Sequence, residues 1–374
     1  MCLLDNTPIF LKCAYKLLGI VQFSYDTKRK SAIYNRIFCL PFYFCLLYLC
    51  MRFNLNTFRQ ETVFHFIDII TNSLNIVYIF AHFIFFYIRS DSVRNHLTKV
   101  VQIQISPNPI VSRRPQWKRN ILLGLFIMNF SFIPFIRVDL GTVLYLYYSF
   151  DFISTFEFLF LDDLLDVVLH KLQLINQHFL RQSDSVDFLQ IFPLSKTDKI
   201  KFLQEEEIIF RIEQMQAFSD FHYDLVNLSQ ELVKNFDVTL IVSLIVWFET
   251  AIETAYYVAY VSLHGSDYYI FVYGVNFIFL VLQLYKFFFL IWIFSKVEQE
   301  SNKTATFVHE VWNKYAMSEK IDNRVRYLEV VSVKLLNTKL QFTVMGFFNL
   351  NREFCHMMIA AVTTYVVILI QFRF

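Results

Sequence analysis

The sequence predicts an all-α membrane protein: seven transmembrane helices, a cytosolic N-terminus, an extracellular C-terminus, and long helices projecting into a cytosolic bundle. Three observations predict it. Hydrophobic residues make up 56% of the 374 residues and charged residues 18%, against roughly 45–50% and 25% in a soluble chain. The apolar residues gather into runs close to the roughly 17–25 residues that a bilayer crossing needs. Six Gly and seven Pro are too few for a turn-rich β fold, a collagenous chain or a disordered one. The net charge of +2 provides no global field for nucleic acid.

The spans follow in order. Residues 37–51 are uncharged but number only 15, so the first span extends past Arg36 or Arg52. The second, 62–88, carries one charge, Asp68, and the third, 120–136, carries none. The fourth, 140–161, holds Asp151 and Glu157, and the fifth, 238–263, holds Glu249 and Glu253. Lys286 lies in the sixth, 268–295, and the seventh, 354–372, is uncharged. The stretch 340–350 is too short to cross and is expected to re-enter or lie at the interface. Lys and Arg set the orientation. The N-terminal segment and the second, fourth and sixth connections hold 28 of them, and the opposite side holds four. None of the six cysteines falls in an outer connection, so no extracellular disulfide framework is implied. With Lys12 and Lys16 interrupting the first apolar stretch, no signal peptide is expected.

The inner connections read as helices. Leu165, Val168, Leu169, Leu172, Ile175 and Phe179 recur at helical spacing and continue the fourth span. One helix over about 140–180 is roughly 60 Å long, twice the bilayer core. Ser, Asp and Pro over 183–193 are expected to break it. A second helix begins near Ser195–Asp198, where Ser and Thr are good caps, and runs into the fifth span. Residues 296–339 form a third amphipathic region. The chain therefore divides into a cytosolic segment (1–36), spans one to four (37–161), a cytosolic helical extension (162–237), spans five and six (238–295), a cytosolic helical anchor region with the re-entrant or interfacial segment (296–351), and the last span (352–374).

Asp162, Asp163 and Asp166 match the Asp-Asp-x-x-Asp pattern with which prenyl-diphosphate enzymes hold Mg²⁺. The second acidic motif such an enzyme needs is missing, since Glu205-Glu206-Glu207 has the wrong spacing. His309-Glu310 lacks the second His of a zinc site, because position 313 is Asn. No metal, cofactor or catalytic set emerges. Polar residues within spans are better clues, because burying each in lipid is expensive. Asp68 and Asn72 share a face of span two, and Asp151 lies mid-span in the fourth, near Tyr148. Trp247, Glu253, Tyr256 and Tyr257 lie on span five, and Tyr269, Tyr273 and Asn276 on the outer half of span six. Where these spans converge they form an aromatic pocket with a few polar groups, open to the outside, as small-molecule sites are. Tyr near a membrane face is equally the ordinary aromatic belt.

The sequence closes with Thr364-Tyr365, five hydrophobic residues and Gln371-Phe372, followed by Arg373 and Phe374. This resembles the C-terminal signature of insect gustatory receptors, and Gly346 to Arg352 resembles the segment preceding that family's last span. The resemblance implies a chemosensory receptor acting as a ligand-gated, nonselective cation channel rather than an enzyme. It implies a homo-tetramer or a hetero-tetramer with related subunits, in the plasma membrane of sensory neurons, with 352–374 lining the central pore. By that likeness Gln371 and Phe372, with Ile368 one turn inward, form the gate, and Thr364 and Tyr365 orient the pore helix. Sugar receptors of the family tend to carry an acid directly after the Thr-Tyr pair. Val366 stands there, which favours a bitter or other aversive tastant. A seven-span receptor signalling through a G protein is the alternative. The basic-residue asymmetry and the absence of Asp-Arg-Tyr and Asn-Pro-x-x-Tyr oppose it.

Overall fold

The computed structural model describes residues 63–102, 117–132, 141–191, 198–264, 269–316, 323–337 and 339–371, with nine scattered positions before them. The first span and Phe372 lie mostly or wholly outside the described residues. The order is α1 (Val63–Gln102), α2 (Trp117–Phe132), α3 (Gly141–Ile191), α4 (Asp198–Lys234), α5 (Asp237–His264), α6 (Tyr269–Ala316), α7 (Asn323–Asn337), β1 (Thr343–Val344), β2 (Phe348–Asn349) and α8 (Arg352–Gln371). Three described helices carry segments long and apolar enough to cross a membrane: Asp237–Tyr256, Asn276–Asn313 and Arg352–Gln371.

Two helices set the scale. α3 has 51 residues and α6 has 48, which at about 1.5 Å per residue makes each more than 70 Å long. They pack on each other more extensively than any other pair of elements. The six apolar residues read from the sequence at helical spacing, Leu165 to Phe179, are each at most 1% exposed. α6 carries buried apolar residues of its own, including Phe294, Val297, Val308 and Val311. The expected break after residue 180 does not occur. Ser183 to Ser185 stay helical and α3 runs to Ile191. Ser and Asp only weaken a helix, whereas a proline disfavours helical geometry at the position preceding it.

α4 starts at Asp198, as the capping pattern suggests, but does not run unbroken into α5. A turn at Asn235 and Phe236 separates them, held by the Phe236 N–H donating to the Val233 carbonyl at 2.7 Å. The Arg89 guanidinium of α1 donates to the carbonyls of Lys234 and Asn235 at 3.3 and 3.2 Å. It thereby satisfies acceptors that a helix end leaves open. α3, α4, α6 and α7 also pack together as a helical extension. Its joints are specific. His178 stacks on Phe218 at 3.8 Å between ring centres. Thr304 donates to Asn176 Oδ1 at 2.6 Å. Lys334 sits 4.4 Å over the Tyr223 ring.

The segment 340–350, expected to re-enter the membrane or lie at its interface, contains a β-hairpin, which holds the only strands among the described residues. Thr343 pairs with Asn349 and Val344 with Phe348. Three residues, Met345 to Phe347, join the strands; Met345 and Gly346 have positive φ, 49° and 75°, and the Phe347 N–H closes the turn on the Val344 carbonyl at 3.0 Å. Leu340, Phe342, Val344 and Leu350 are buried against the protein. The Phe342 N–H donates to Glu298 of α6 at 2.8 Å, and the Leu340 N–H to Asn302 at 3.2 Å. Asn351 then caps α8 by accepting the Phe354 N–H at 2.9 Å.

The joint between α4 and α6 makes folding sensitive to acid. His222, 4% exposed, lies against Ser301, 3.2 Å from Nε2 to the carbonyl. Burial lowers its pKa from 6.5 to about 4. The unfolded chain takes up a proton near 6.5 and the folded one only near 4, so stability is whole above about 6.5 and is lost as pH falls. Between pH 7 and pH 5 this site should cost about 2 kcal/mol. Thermal unfolding in detergent should show a steeper fall in Tm for the natural chain than for His222→Leu; parallel curves would rule the effect out.

Candidate functional site

A membrane-length helix accepts a charge only where another helix satisfies it. α3 carries three carboxylates at intervals of six residues: Asp151, Glu157 and Asp163. Six residues turn an α-helix through about 600°, so successive carboxylates point about 120° apart. Each meets a different helix.

Asp151 meets α6. Lys286 Nζ donates to Asp151 Oδ1 at 2.5 Å and to Ser154 Oγ at 2.9 Å. Gln283, one turn away on α6, donates to the same Oδ1 at 2.6 Å. Asp151, Gln283 and Lys286 are at most 1% exposed. Among the described residues Asp151 Oδ2 and Gln283 Oε1 have no protein donor. Trp247 of α5 donates its indole N–H to the Gln283 carbonyl at 2.8 Å and stacks on Phe287 at 4.1 Å. Glu157 meets α1, where the Tyr78 hydroxyl donates to Oε2 at 2.6 Å. His82 lies 4.0 Å from the same oxygen, and its Nδ1 is 2.7 Å from the Tyr43 hydroxyl. Tyr43 donates in turn to the Leu18 carbonyl at 3.3 Å. One tautomer suits both contacts, with Nδ1–H donating to Tyr43. Asp163 meets α2, paired through both oxygens with the Arg119 guanidinium, and accepts from Tyr15 at 2.9 Å. The middle carboxylate of the Asp-Asp-x-x-Asp pattern is thus taken by a side-chain cation. Among the described residues no group of three or more His, Cys, Asp or Glu could hold a metal ion.

The second feature is α8. It rests on α5 and α6, with Phe354 6.1 Å from Phe287 and Tyr365 5.8 Å edge-on to Phe248. Only 11% of its apolar window is buried, against 50% and 56% for those of α5 and α6, so its opposite face is uncovered among the described residues. That face is not purely apolar. Thr363, Thr364 and Gln371 are exposed on it beside Val367 and Ile368.

Residues 14–374 match the family model described as 7tm chemosensory receptor. The chain belongs to the 7tm chemosensory receptor family. A stretch of 78 residues of this chemosensory receptor is 33% identical to a Drosophila melanogaster protein named as gustatory receptor 28b. It covers 21% of the receptor and only 16% of that relative's length. The fold is similar to the insect olfactory receptor OR5 of Machilis hrabei, with TM-score 0.61 and 11% identity over 97% of this chain and 99% of that one. The same receptor solved in complex with eugenol gives TM-score 0.58 and 10% identity over 97% of both chains.

Within the receptor, the residues singled out from the sequence fall into three groups. Asp151 and Trp247 come together through Gln283, and Tyr256 is buried. Glu253 and Asn276 are half-buried. Asp68, Asn72, Tyr148, Tyr257, Tyr269 and Tyr273 lie on α1, α3, α5 and α6, with their side chains outside the described residues. Of the pore-helix set, Ile368, Tyr365, Thr364 and Gln371 are all exposed. Thr364 donates to its own helix at the Ala360 carbonyl, 2.8 Å away. Sequence reasoning missed Lys286, Gln283, Glu157, Tyr78 and His82 as members of the site. The signal was one lone base on span six facing two lone acids on span four. A separate cavity of about 350 Å³ lies between α3 and α6 in the extension, lined among others by Gln173, Asn176, Glu300 and Lys303.

Leaving one charge of the Asp151–Lys286 pair buried alone should cost about 3–5 kcal/mol. Lys286→Met should lower Tm in detergent and reduce surface protein, and Asp151→Leu with Lys286→Met should recover most of both. A single Lys286→Met variant as stable as the double one would show that the pair carries no such constraint.

Proposed function

We propose that this receptor is a ligand-gated, nonselective cation channel. Four copies, alike or mixed with related subunits, surround a pore lined by their α8 helices, in the plasma membrane of a sensory neuron. One observation carries the reading. α8 is long and apolar enough to span a membrane, yet the face it leaves uncovered carries hydroxyls and an amide. Lipid accepts such groups poorly, whereas a water-filled axis shared between subunits accepts them well. Seven spans and an inward-facing extension complete the topology, supported by the distribution of Lys and Arg.

Gln371 and Phe372 with Ile368 form the gate. Four apolar side chains close the axis by dewetting, and four Gln amides replace part of an ion's hydration when it opens. The ligand is a small, partly apolar molecule, bitter or otherwise aversive. It enters between the outer ends of α1, α3, α5 and α6, above the Asp151–Lys286 pair. The complex of the related olfactory receptor with eugenol supports a small-molecule site in this fold. Asp151 Oδ2 and Gln283 Oε1 supply acceptors for a ligand hydroxyl or ammonium. Aromatic faces nearby, Trp247 and Tyr256, suit apolar or cationic groups. A ligand that prefers the open arrangement shifts α6 against α3. The shift travels through Trp247 and Phe287 to Phe354, and through Phe248 to Tyr365, because these rings are in contact.

Two variants test this. Ile368→Ser, which wets the gate, should pass whole-cell cation current without any added compound. A panel of bitter compounds, sugars and amines on the natural chain should evoke current that Trp247→Ala weakens at least roughly tenfold in dose while leaving surface protein unchanged. A silent Ile368→Ser at normal surface density, or an N-terminal tag reached from outside intact cells, would overturn the channel reading.

A further inference from the structure

The uncovered face of α8 ends in a charge. Glu353 and Gln371 are 18 residues apart, which is five turns at about 3.6 residues per turn, so they project in the same direction. Between them Met357, Ala360 and Thr364 lie within about 40° of that line, and all five residues are exposed. The Cα atoms of the two end residues are about 27 Å apart along the axis, close to the thickness of a bilayer core. The stripe therefore carries an amide at one mouth and a carboxylate at the other, with no charge between them.

A Glu in the first turn of a helix has an ordinary role, which is to complement the helix dipole. Here the Asn351 side chain already accepts an N–H at that end, from Phe354. The Glu353 carboxylate makes no hydrogen bond or ion pair with any described residue. Arg352 is set about 100° round the helix from it and so does not share its line. The buried residues Phe354 and Cys355 mark the opposite side, which packs toward α6 and the hairpin.

We infer that Glu353 determines charge selectivity. Four copies form a ring of carboxylates at the pore mouth on the side of the helical extension, which concentrates cations and repels anions. The inference rests on α8 lining the pore, and it adds what that reading lacks. Gln371, Phe372 and Ile368 are uncharged, and the charge that follows them in the sequence, Arg373, is positive, so neither supplies a preference for cations. A ring of like charges with low-dielectric walls raises the local cation concentration several-fold, and salt screens it.

The test uses the Ile368→Ser channel in excised patches, so that no ligand is needed. Na⁺ carries the current, with a tenfold NaCl gradient across the patch. Glu353→Gln should lower the current carried from the extension side roughly two- to threefold and move the reversal potential from the Na⁺ equilibrium toward zero. Glu353→Asp, which keeps the charge, should restore both. In about 1 M salt the Gln variant and its parent should converge, a behaviour that a purely structural effect would not show. Current through Ile368→Ser with conductance and reversal unmoved by Glu353→Gln would overturn this inference alone. No current through Ile368→Ser at normal surface density would overturn the pore reading and the inference together.

Discussion

The packing around α3 depends on how three buried carboxylates on that one helix are satisfied, two by cations and one by a hydroxyl. Asp151, Glu157 and Asp163 leave α3 in three directions, and each is answered from a different helix: Lys286 of α6, Tyr78 of α1 and Arg119 of α2. Taking an ion out of water costs several kcal/mol even after relaxation, so none of these groups can let go of its partner and remain buried. An apolar interface tolerates sliding, since one Leu is much like another. These pairs do not, because each fixes both the rotation of α3 and the height of its neighbour. The aromatic packing around them, such as Tyr78 on Phe150 at 4.8 Å, fills space to a register that the charges have already chosen.

The same arrangement gives the bundle unequal stiffness. α3 is pinned, whereas among the described residues α8 packs along one flank through aromatic rings and apolar side chains such as Met358, Ile359 and Val362, with no ion pair. Dispersion contacts between aromatic rings accommodate small rotations at little cost compared with breaking a buried ion pair. The less tightly held element is thus the one whose outer face bears Gln371 and Ile368, the residues proposed as the gate. Thr363 and Thr364 each donate to a carbonyl four residues back, a pattern that loosens and bends helices, and it falls midway between the capped start of α8 and its exposed end.

Much of this was legible in the sequence, and what was not is instructive. The stripe from Leu165 to Phe179 announced the long α3 because helical periodicity is local information. So was the signature at the end of the chain, which named the family before any geometry was known. Lys286 and Asp151 were each visible as expensive intramembrane charges, but their pairing is a fact about which helices are neighbours, and spacing within one helix does not contain it. The partner of the acidic triplet 162–166 is hidden for the same reason, since the Arg119 that pairs with Asp163 lies 44 positions away in the chain. The hairpin at 343–349 was missed because an apolar run of eleven residues near a membrane suggests lipid, and only the left-handed pair Met345–Gly346 distinguishes a turn from a re-entrant loop. The break expected after residue 180 overvalued Ser and Asp, which are poor helix formers but not helix breakers.

The short link between the hairpin and α8 has a consequence of its own. Phe342 and Leu340 are tied to α6 through Glu298 and Asn302, and Leu350 closes the hairpin by donating to the Phe342 carbonyl at 2.9 Å. Asn351 begins the cap of α8 immediately afterwards. A tether this short has no slack, so a tilt of α6 reaches α8 of the same chain before it can be shared with a neighbour. In an assembly of non-identical chains, each member then contributes its own tuning independently. A gene duplicate can drift in what it detects while still combining with its relatives, and a sensory repertoire can grow by recombination of parts rather than by redesign of the whole.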